Sequence, residues 1–226
     1  MSHSGIAVGN NSFRRRIVVS LLAGLSLLLA PRTTLHAERG VIDDPDGFTN
    51  LRAAQSATAP VVARVKAGEV FEFSAEPQRT TPPAWLKVKL RNGKTGWIKH
   101  SRIRFHFEPS DLKDGGPTDE VNQDKWKGFA YYPTARLAAK GDPKALRTYF
   151  RYRGDGAAGE AHAFMADIVL HLAGDDHMAA FVSTQSPSER KELREFLWEG
   201  AGLWPFEPKE YLRLHFPKTT AALVHR

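Results

Sequence analysis

The sequence predicts a two-domain fold: a small all-β barrel, a polar linker and an all-α domain of short helices. Three observations carry the prediction. Residues 38–107 alternate apolar and polar side chains with period two. Residues 128–226 switch to a helical period with capping residues in place. Between them "EPSDLKDGGPTDEVNQDKWK", residues 108–127, is polar and contains Gly115-Gly116-Pro117, the composition of a linker.

The chain opens with a segment that reads as an export signal over residues 1–37. "FRRR" is a basic start, "IVVSLLAGLSLLLA" (residues 17–30) is an apolar run of 14, and "LHA" ends in a small residue suited to cleavage before Glu38. A spanning helix needs about 20 apolar residues, so no stable membrane span is expected after cleavage. Arg14-Arg15-Arg16 also fits a loose twin-arginine pattern, while the leucine-rich run favours the general secretory route. A periplasmic or secreted bacterial protein is the resulting expectation.

Net charge is +7, but four arginines lie before Glu38 with no acid beside them, which leaves +3 for the rest. That excess is too mild and too dispersed for a nucleic-acid partner. The chain has no cysteine. Disulfides, thiolate zinc sites and a cysteine nucleophile are therefore excluded.

The β region offers five strand signals. "PVVARV" is a short apolar strand, and "GEVFEFSA" puts Phe71 and Phe73 on one face. In "AWLKVKL", Leu86, Val88 and Leu90 face one way and Trp85, Lys87 and Lys89 the other. Asn92-Gly93 reads as a two-residue type I′ hairpin leading into "GWIKH". "RIRFHF" alternates Ile103, Phe105 and Phe107 against Arg104 and His106. Five short strands in this length suggest a closed barrel, which removes exposed edges.

Helix signals follow. "TARLAAKG" stops at Gly141, and Asp142 caps "DPKALRTYFRYRG" with Pro143 at the first helical position. "AGEAHAFMADIVLHLAG" runs to Gly174. Ser186, Pro187 and Glu189 form a capping box for "SPSERKELREFLWEG", and "EPKEYLRLHF" is the last helix. A shift of 33 residues aligns Leu137 with Leu170, Gly141 with Gly174, Asp142 with Asp175, Ala130 with Ala163 and Tyr131 with Phe164. Two readings stand: a helical-hairpin repeat, or two unrelated helices that both stop at glycine and restart at aspartate.

"DDPDGFTNLRAAQSATAPVVARVKAGEVFEF", with Gly47, Phe48, Asn50, Leu51, Arg52, Pro60, Val61, Val62 and Gly68, resembles the opening of bacterial SH3-like (SH3b) domains. "WLKVKLRNGKTGWIKHSRI" resembles their closing segment. The resemblance covers about residues 40–105 and departs at "AEPQRTTPPAW", a proline-rich insertion. It implies an SH3-like barrel acting as a non-catalytic recognition module, often aimed at cell-wall peptides. The barrel is then residues 38–107 and the helical domain residues 128–226.

Asp43, Asp44 and Asp46 around Pro45 and Gly47 read as a tight turn. A calcium loop would need a closing bidentate glutamate, and none follows. For ligand binding the expected residues are Phe48, Trp85, Lys87 and Trp97, with Lys89 on the same face. Aromatics give flat contact area and lysines suit an anionic cell-wall peptide or peptidoglycan. The competing reading has Trp85 and Trp97 covering the barrel or docking on the helices. Asn50 and Arg52 are expected to brace the first loop.

No catalytic residue, cofactor or metal site is expected. His162 and His171 are nine apart, about half a turn out of phase on a helix, and were they ligands they would point in opposite directions. The plain expectation for the helical histidines is exposure or capping near a helix end. No serine sits in a nucleophile elbow. The alternative function is an envelope-protein adaptor acting through the helical domain, where "EFLWEGAGLWPFEP" concentrates Phe196, Leu197, Trp198, Leu203, Trp204 and Phe206.

Overall fold

A computed structural model describes residues 37–74, 84–112, 130–152, 156–201 and 207–224. The predicted signal, apart from Ala37, and residues 75–83 of the proline-rich insertion lie outside them. Seven antiparallel strands come first: β1 (Ala37–Ile42), β2 (Phe48–Arg52), β3 (Val61–Lys66), β4 (Val70–Ser74), β5 (Trp85–Lys89), β6 (Thr95–Lys99) and β7 (Ile103–Phe105). They form one sheet in the order β3-β2-β6-β5-β4-β1-β7. β1 and β2 are additional to the five expected strands. The sheet curls around one core, since Ile42, Leu51, Val65, Phe71, Phe73, Leu86, Val88, Ile98, Ile103 and Phe105 from all seven strands are buried together.

The alternation read from "AWLKVKL" and "RIRFHF" is the one observed. Leu86, Val88, Ile103 and Phe105 are buried, while Lys87 and Lys89 are exposed. The hairpin after β5 differs from expectation. Gly93 has φ 81° and no described non-glycine residue has positive φ, so Asn92 is not in the conformation a type I′ turn requires. Gly93 N donates to Leu90 O at 2.9 Å and Leu90 N to Lys94 O at 2.8 Å. This is a three-residue loop, a type I turn followed by left-handed Gly93. Asn92 Oδ1 instead accepts from Lys94 N at 3.1 Å.

The ladder has two ends, β3 and β7, and the edge at β7 is covered. Phe105 N points away from β1 and donates to the Tyr211 hydroxyl at 2.9 Å. A helix side chain thus satisfies an edge amide that strand pairing would otherwise have to satisfy.

Six helices follow among the described residues: α1 (Tyr131–Ala138), α2 (Pro143–Phe150), α3 (Gly156–Ser183), α4 (Pro187–Ala201), α5 (Pro208–His215) and α6 (Pro217–Val224). Asp142 caps α2 by accepting from Ala145 N at 2.7 Å. The Ser186–Glu189 capping box is present, with Ser186 N to Glu189 Oε2 at 2.8 Å and Glu189 N to Ser186 Oγ at 3.3 Å. α3 is broken at Gly174 (φ 78°, ψ 166°) and continues as a second helical segment. The segment after the break and α6 are additional to the sequence reading.

The 33-residue correspondence holds at the glycines and stops there. Gly141 and Gly174 both have positive φ. Asp142 caps its own helix, whereas Asp175 caps α6, accepting from Lys218 N at 2.9 Å and Thr219 N at 2.8 Å. Leu137 is exposed and Leu170 is buried.

Barrel and helices pack within one compact unit. Phe105 joins Phe73 of the barrel to Tyr211 and His171 of the helices, with ring centroids 5.6, 5.7 and 6.2 Å apart respectively. The start of the predicted linker is structured. Pro109–Asp111 is a 3-10 turn, Leu112 is buried, and Arg39 pairs with Asp111 at 2.6 Å and Glu108 at 3.0 Å. Residues 113–127 of that linker lie outside the described residues.

Candidate functional site

Three strands build the candidate face. Leu51 of β2, Ile98 of β6, and Leu86 and Val88 of β5 point into the core. Alternation then turns Arg52, Trp97, Lys99, Trp85, Lys87 and Lys89 outward. Strand register aligns them. Trp97 lies directly between Arg52 on β2 and Lys87 on β5, and Trp85 lies opposite Lys99. Neighbouring strands are about 4.8 Å apart, so the Trp97 backbone has a cationic residue's backbone on each flank at roughly that spacing. Trp85, Trp97 and Arg52 are half-buried, while Lys87, Lys89 and Lys99 are exposed.

Gly96 makes this register attainable. A Cβ there would stand 2.6 Å from Arg52 O and 2.8 Å from Leu51 Cγ. Only a residue without a side chain lets β2 approach β6 at this point. Arg52 is also fixed from the other side, as one guanidinium nitrogen donates to Ala59 O at 2.8 Å. The expected bracing of the first loop by Arg52 is thus present.

The structure brings Trp85, Lys87 and Trp97 together and places Phe48 apart. Phe48 is four residues from Arg52 along β2, about 13 Å at strand rise. Its ring is covered by the Arg64 guanidinium, 3.5 Å from the centroid. The sequence reading left Lys99 out of the face and gave Arg52 a structural role alone. Lys99 is in step with Trp97, and Arg52 with Phe48 and Asn50, so the same period-two rule reaches both. The pairing of Arg52 with Trp97 is a register fact and had no local signal.

Outward positions of β2, β5 and β6 carry Arg52, Lys87, Lys89 and Lys99 and no acid. The nearest acid in register is Glu72 on β4, opposite Lys89. The face is therefore cationic with an aromatic centre, suited to an anionic ligand that also offers a flat apolar surface.

The acidic turn is a structural device. Gly47 N donates to Asp44 O at 3.0 Å, and Asp46 N to Asp44 Oδ1 at 3.0 Å. Asp44, buried, pairs with Arg102 at 2.9 Å. Asp43 accepts from His215 Nδ1 at 2.7 Å and lies 3.3 Å from Arg104. The hydrogen bond from His215, with Arg104 beside it, holds the Asp43 carboxyl below the usual range against the opposing effect of burial.

Of the helical histidines His177 is exposed as expected, while His162 and His171 depart from that expectation. His162 is buried among Tyr149, Tyr152 and Phe196, its Nδ1 2.8 Å from the Tyr131 hydroxyl. His171 is buried among Phe107, Tyr211 and Phe216. The opposite directions read from their spacing are observed, one ring in each aromatic cluster. Helices of this size bury whole faces, and the His171 imidazole is tolerated there with both of its nitrogens hydrogen-bonded, to Asp167 O and to the Tyr211 hydroxyl. Among the described residues no group of His, Asp and Glu is arranged to hold a metal ion. Of the aromatic run near α4, Leu197 is buried and Phe196 and Trp198 pack against the core. Leu203, Trp204 and Phe206 lie outside the described residues.

A bacterial SH3 domain model matches this geometry in sequence as well. Residues 47–104 match the bacterial SH3 domain family. The match spans β2 to β7 and includes every residue of the Arg52–Trp97–Lys87 row. β1 and the helices lie outside it, and the helical part of the chain has no family match. Comparison with curated proteins gives no match for the chain. Around its SH3 domain this protein therefore adds a strand, β1, and a helical partner for the β7 edge. No described helix is long and apolar enough to cross a membrane.

Proposed function

We propose that this is an exported, non-catalytic cell-envelope protein whose SH3 domain binds peptidoglycan through the face centred on Trp97. The carrying observation is the cross-strand row Lys87–Trp97–Arg52, an aromatic flanked by two cations on rigid strands. Trp85 and Lys99 extend it by a second row. Three strands separate β6 from β7 in the sheet order, so the face lies away from the strand that meets the helices. The basic start and apolar run at residues 13–30 support export to the periplasm or beyond. A non-catalytic role is supported by the sealing of His162 and His171 inside aromatic clusters, out of reach of a substrate.

Sedimentation with purified peptidoglycan tests the reading. Wild-type protein is expected in the pellet, Trp97→Ala in the supernatant and Trp85→Ala in between. Wild type that stays in the supernatant with both variants ends the proposal.

A further inference from the structure

We infer that the signal is removed before the barrel closes, so that the chain is exported unfolded by the general secretory route and not folded by the twin-arginine route; this rests on the export reading above. Leu35-His36-Ala37 puts the scissile bond between Ala37 and Glu38. Both residues belong to β1, where Ala37 is in register with Ser74 of β4 and Glu38 with Phe73. Cleavage adds water across this bond, leaving a carboxylate on Ala37 and an ammonium on Glu38. A protease takes its substrate as an extended strand and pairs the substrate backbone with its own cleft. A segment already laddered to β4 has committed those backbone groups to another strand.

No spacer separates the cleavage site from the fold. Directly after Glu38, Arg39 O accepts from His106 N at 2.9 Å, and the Arg39 guanidinium pairs with Asp111 at 2.6 Å and Glu108 at 3.0 Å. Gly40 is seated so closely that an added Cβ would stand 2.9 Å from the Phe71 ring and 3.0 Å from Ile103. Val41 and Ile42 then pair with Arg104 and Ile103 of β7. Presenting the bond to a protease therefore means peeling the start of β1 off β4 and breaking the Arg39 contacts. β1 also lies between β4 and β7 in the sheet, so it holds the strand that meets the helices. In the unfolded chain the bond has none of these partners. A chain that folds first, as twin-arginine export requires, locks its own processing site.

The test offers the full-length precursor to purified signal peptidase in three forms and follows cleavage at Ala37–Glu38 by mass. The first is the folded wild type. The second is Ile98→Asp, which places a charge in the barrel core and leaves residues 35–39 unchanged in an unfolded substrate. The third is a folded precursor with a spacer of about six Gly/Ser residues between Glu38 and Arg39, long enough when extended to carry the bond about 20 Å clear. The folded wild type is expected to be cut roughly 10–100-fold more slowly than the other two, the weight of a few backbone bonds and an ion pair held against fraying. Arg39→Ala, which loosens the start of β1, is expected to recover part of that loss. In bacterial cells, processing is expected to stop with azide, which blocks the general secretory ATPase, and to continue in a strain without the twin-arginine translocase. Equal cleavage of folded wild type and spacer form would sink the inference and leave export standing, and so would processing that fails in the strain without that translocase. If neither the Ile98→Asp precursor nor untreated cells yield a chain starting at Glu38, the export reading falls and this inference falls with it.

Discussion

The Tyr211 hydroxyl lies 2.7 Å from His171 Nε2, and the same oxygen accepts from the Phe105 amide at 2.9 Å. His171 Nδ1 donates to Asp167 O at 2.7 Å, so Nε2 is the acceptor and Tyr211 the donor. One chain of hydrogen bonds thus runs from α3 through α5 to the free edge of β7. It carries the barrel's last strand into the helical core.

Tyr211→Phe keeps the ring against Phe105 and His215 but removes the oxygen. Two buried partners, the Phe105 amide and His171 Nε2, are then left without it. A loss of about 1–3 kcal/mol is expected, with the denaturant midpoint lowered and the slope unchanged. A variant as stable as wild type would show that the edge amide finds another acceptor.

Burial pushes the His171 pKa down to about 3, against the hydrogen bond to Asp167, which raises it. Its ordinary value is near 6.5. Between these pH values the unfolded chain holds a proton that the folded one does not. Stability from this residue is therefore full above pH ~6.5 and declines as pH falls towards 3, by up to ~1.4 kcal/mol per pH unit. Asp43, with its lowered carboxyl, acts in the same direction below its unfolded value. Urea midpoints measured across this window should fall for wild type. His171→Gln keeps an acceptor for Tyr211 and should give a flatter curve; parallel curves would contradict the assignment.

Asp175 caps a helix that is not its own. Asp175→Ala frees the Lys218 and Thr219 amides at the start of α6 and is expected to cost about 1 kcal/mol. Amide hydrogen exchange should speed up in α6 while α2, capped by Asp142, is unchanged. Equal effects on both helices would argue for a general loss of stability instead.

Gly96→Ala tests the strand approach that sets the candidate face. The added Cβ meets the Arg52 carbonyl and the Leu51 side chain, so β2 must move off β6. Destabilisation of about 1–3 kcal/mol is expected, together with weaker retention on peptidoglycan. Gly93→Ala lies at the hairpin tip with open space around it, and should cost stability through its backbone conformation alone while retention is kept. If Gly96→Ala binds as wild type does, the register at Arg52 and Trp97 is not what the ligand reads.

The elements were legible wherever a local rule operates. Period-two alternation placed Leu86 and Val88 inside and Trp85, Lys87 and Lys89 outside. Asp142, Pro143, Ser186 and Glu189 announced two helix starts because capping is satisfied within four residues. The turn at Asp44–Gly47 is local for the same reason. The hairpin at Asn92-Gly93 was read correctly as a hairpin and wrongly as type I′. That choice depends on the strand register on either side, which two residues do not encode.

The sequence by itself determined which residues alternate, where the turns fall and that a bacterial SH3 domain leads into helices. Only the tertiary structure decided that Trp97 stands between Arg52 and Lys87, that Asp43 meets His215, and that His162 and His171 are sealed among aromatic rings. Those pairings join positions 10, 45 or 172 residues apart, or turn on which helix faces are covered. Backbone preference acts over a few residues, while strand register and side-chain burial are settled by how the whole chain fills one core.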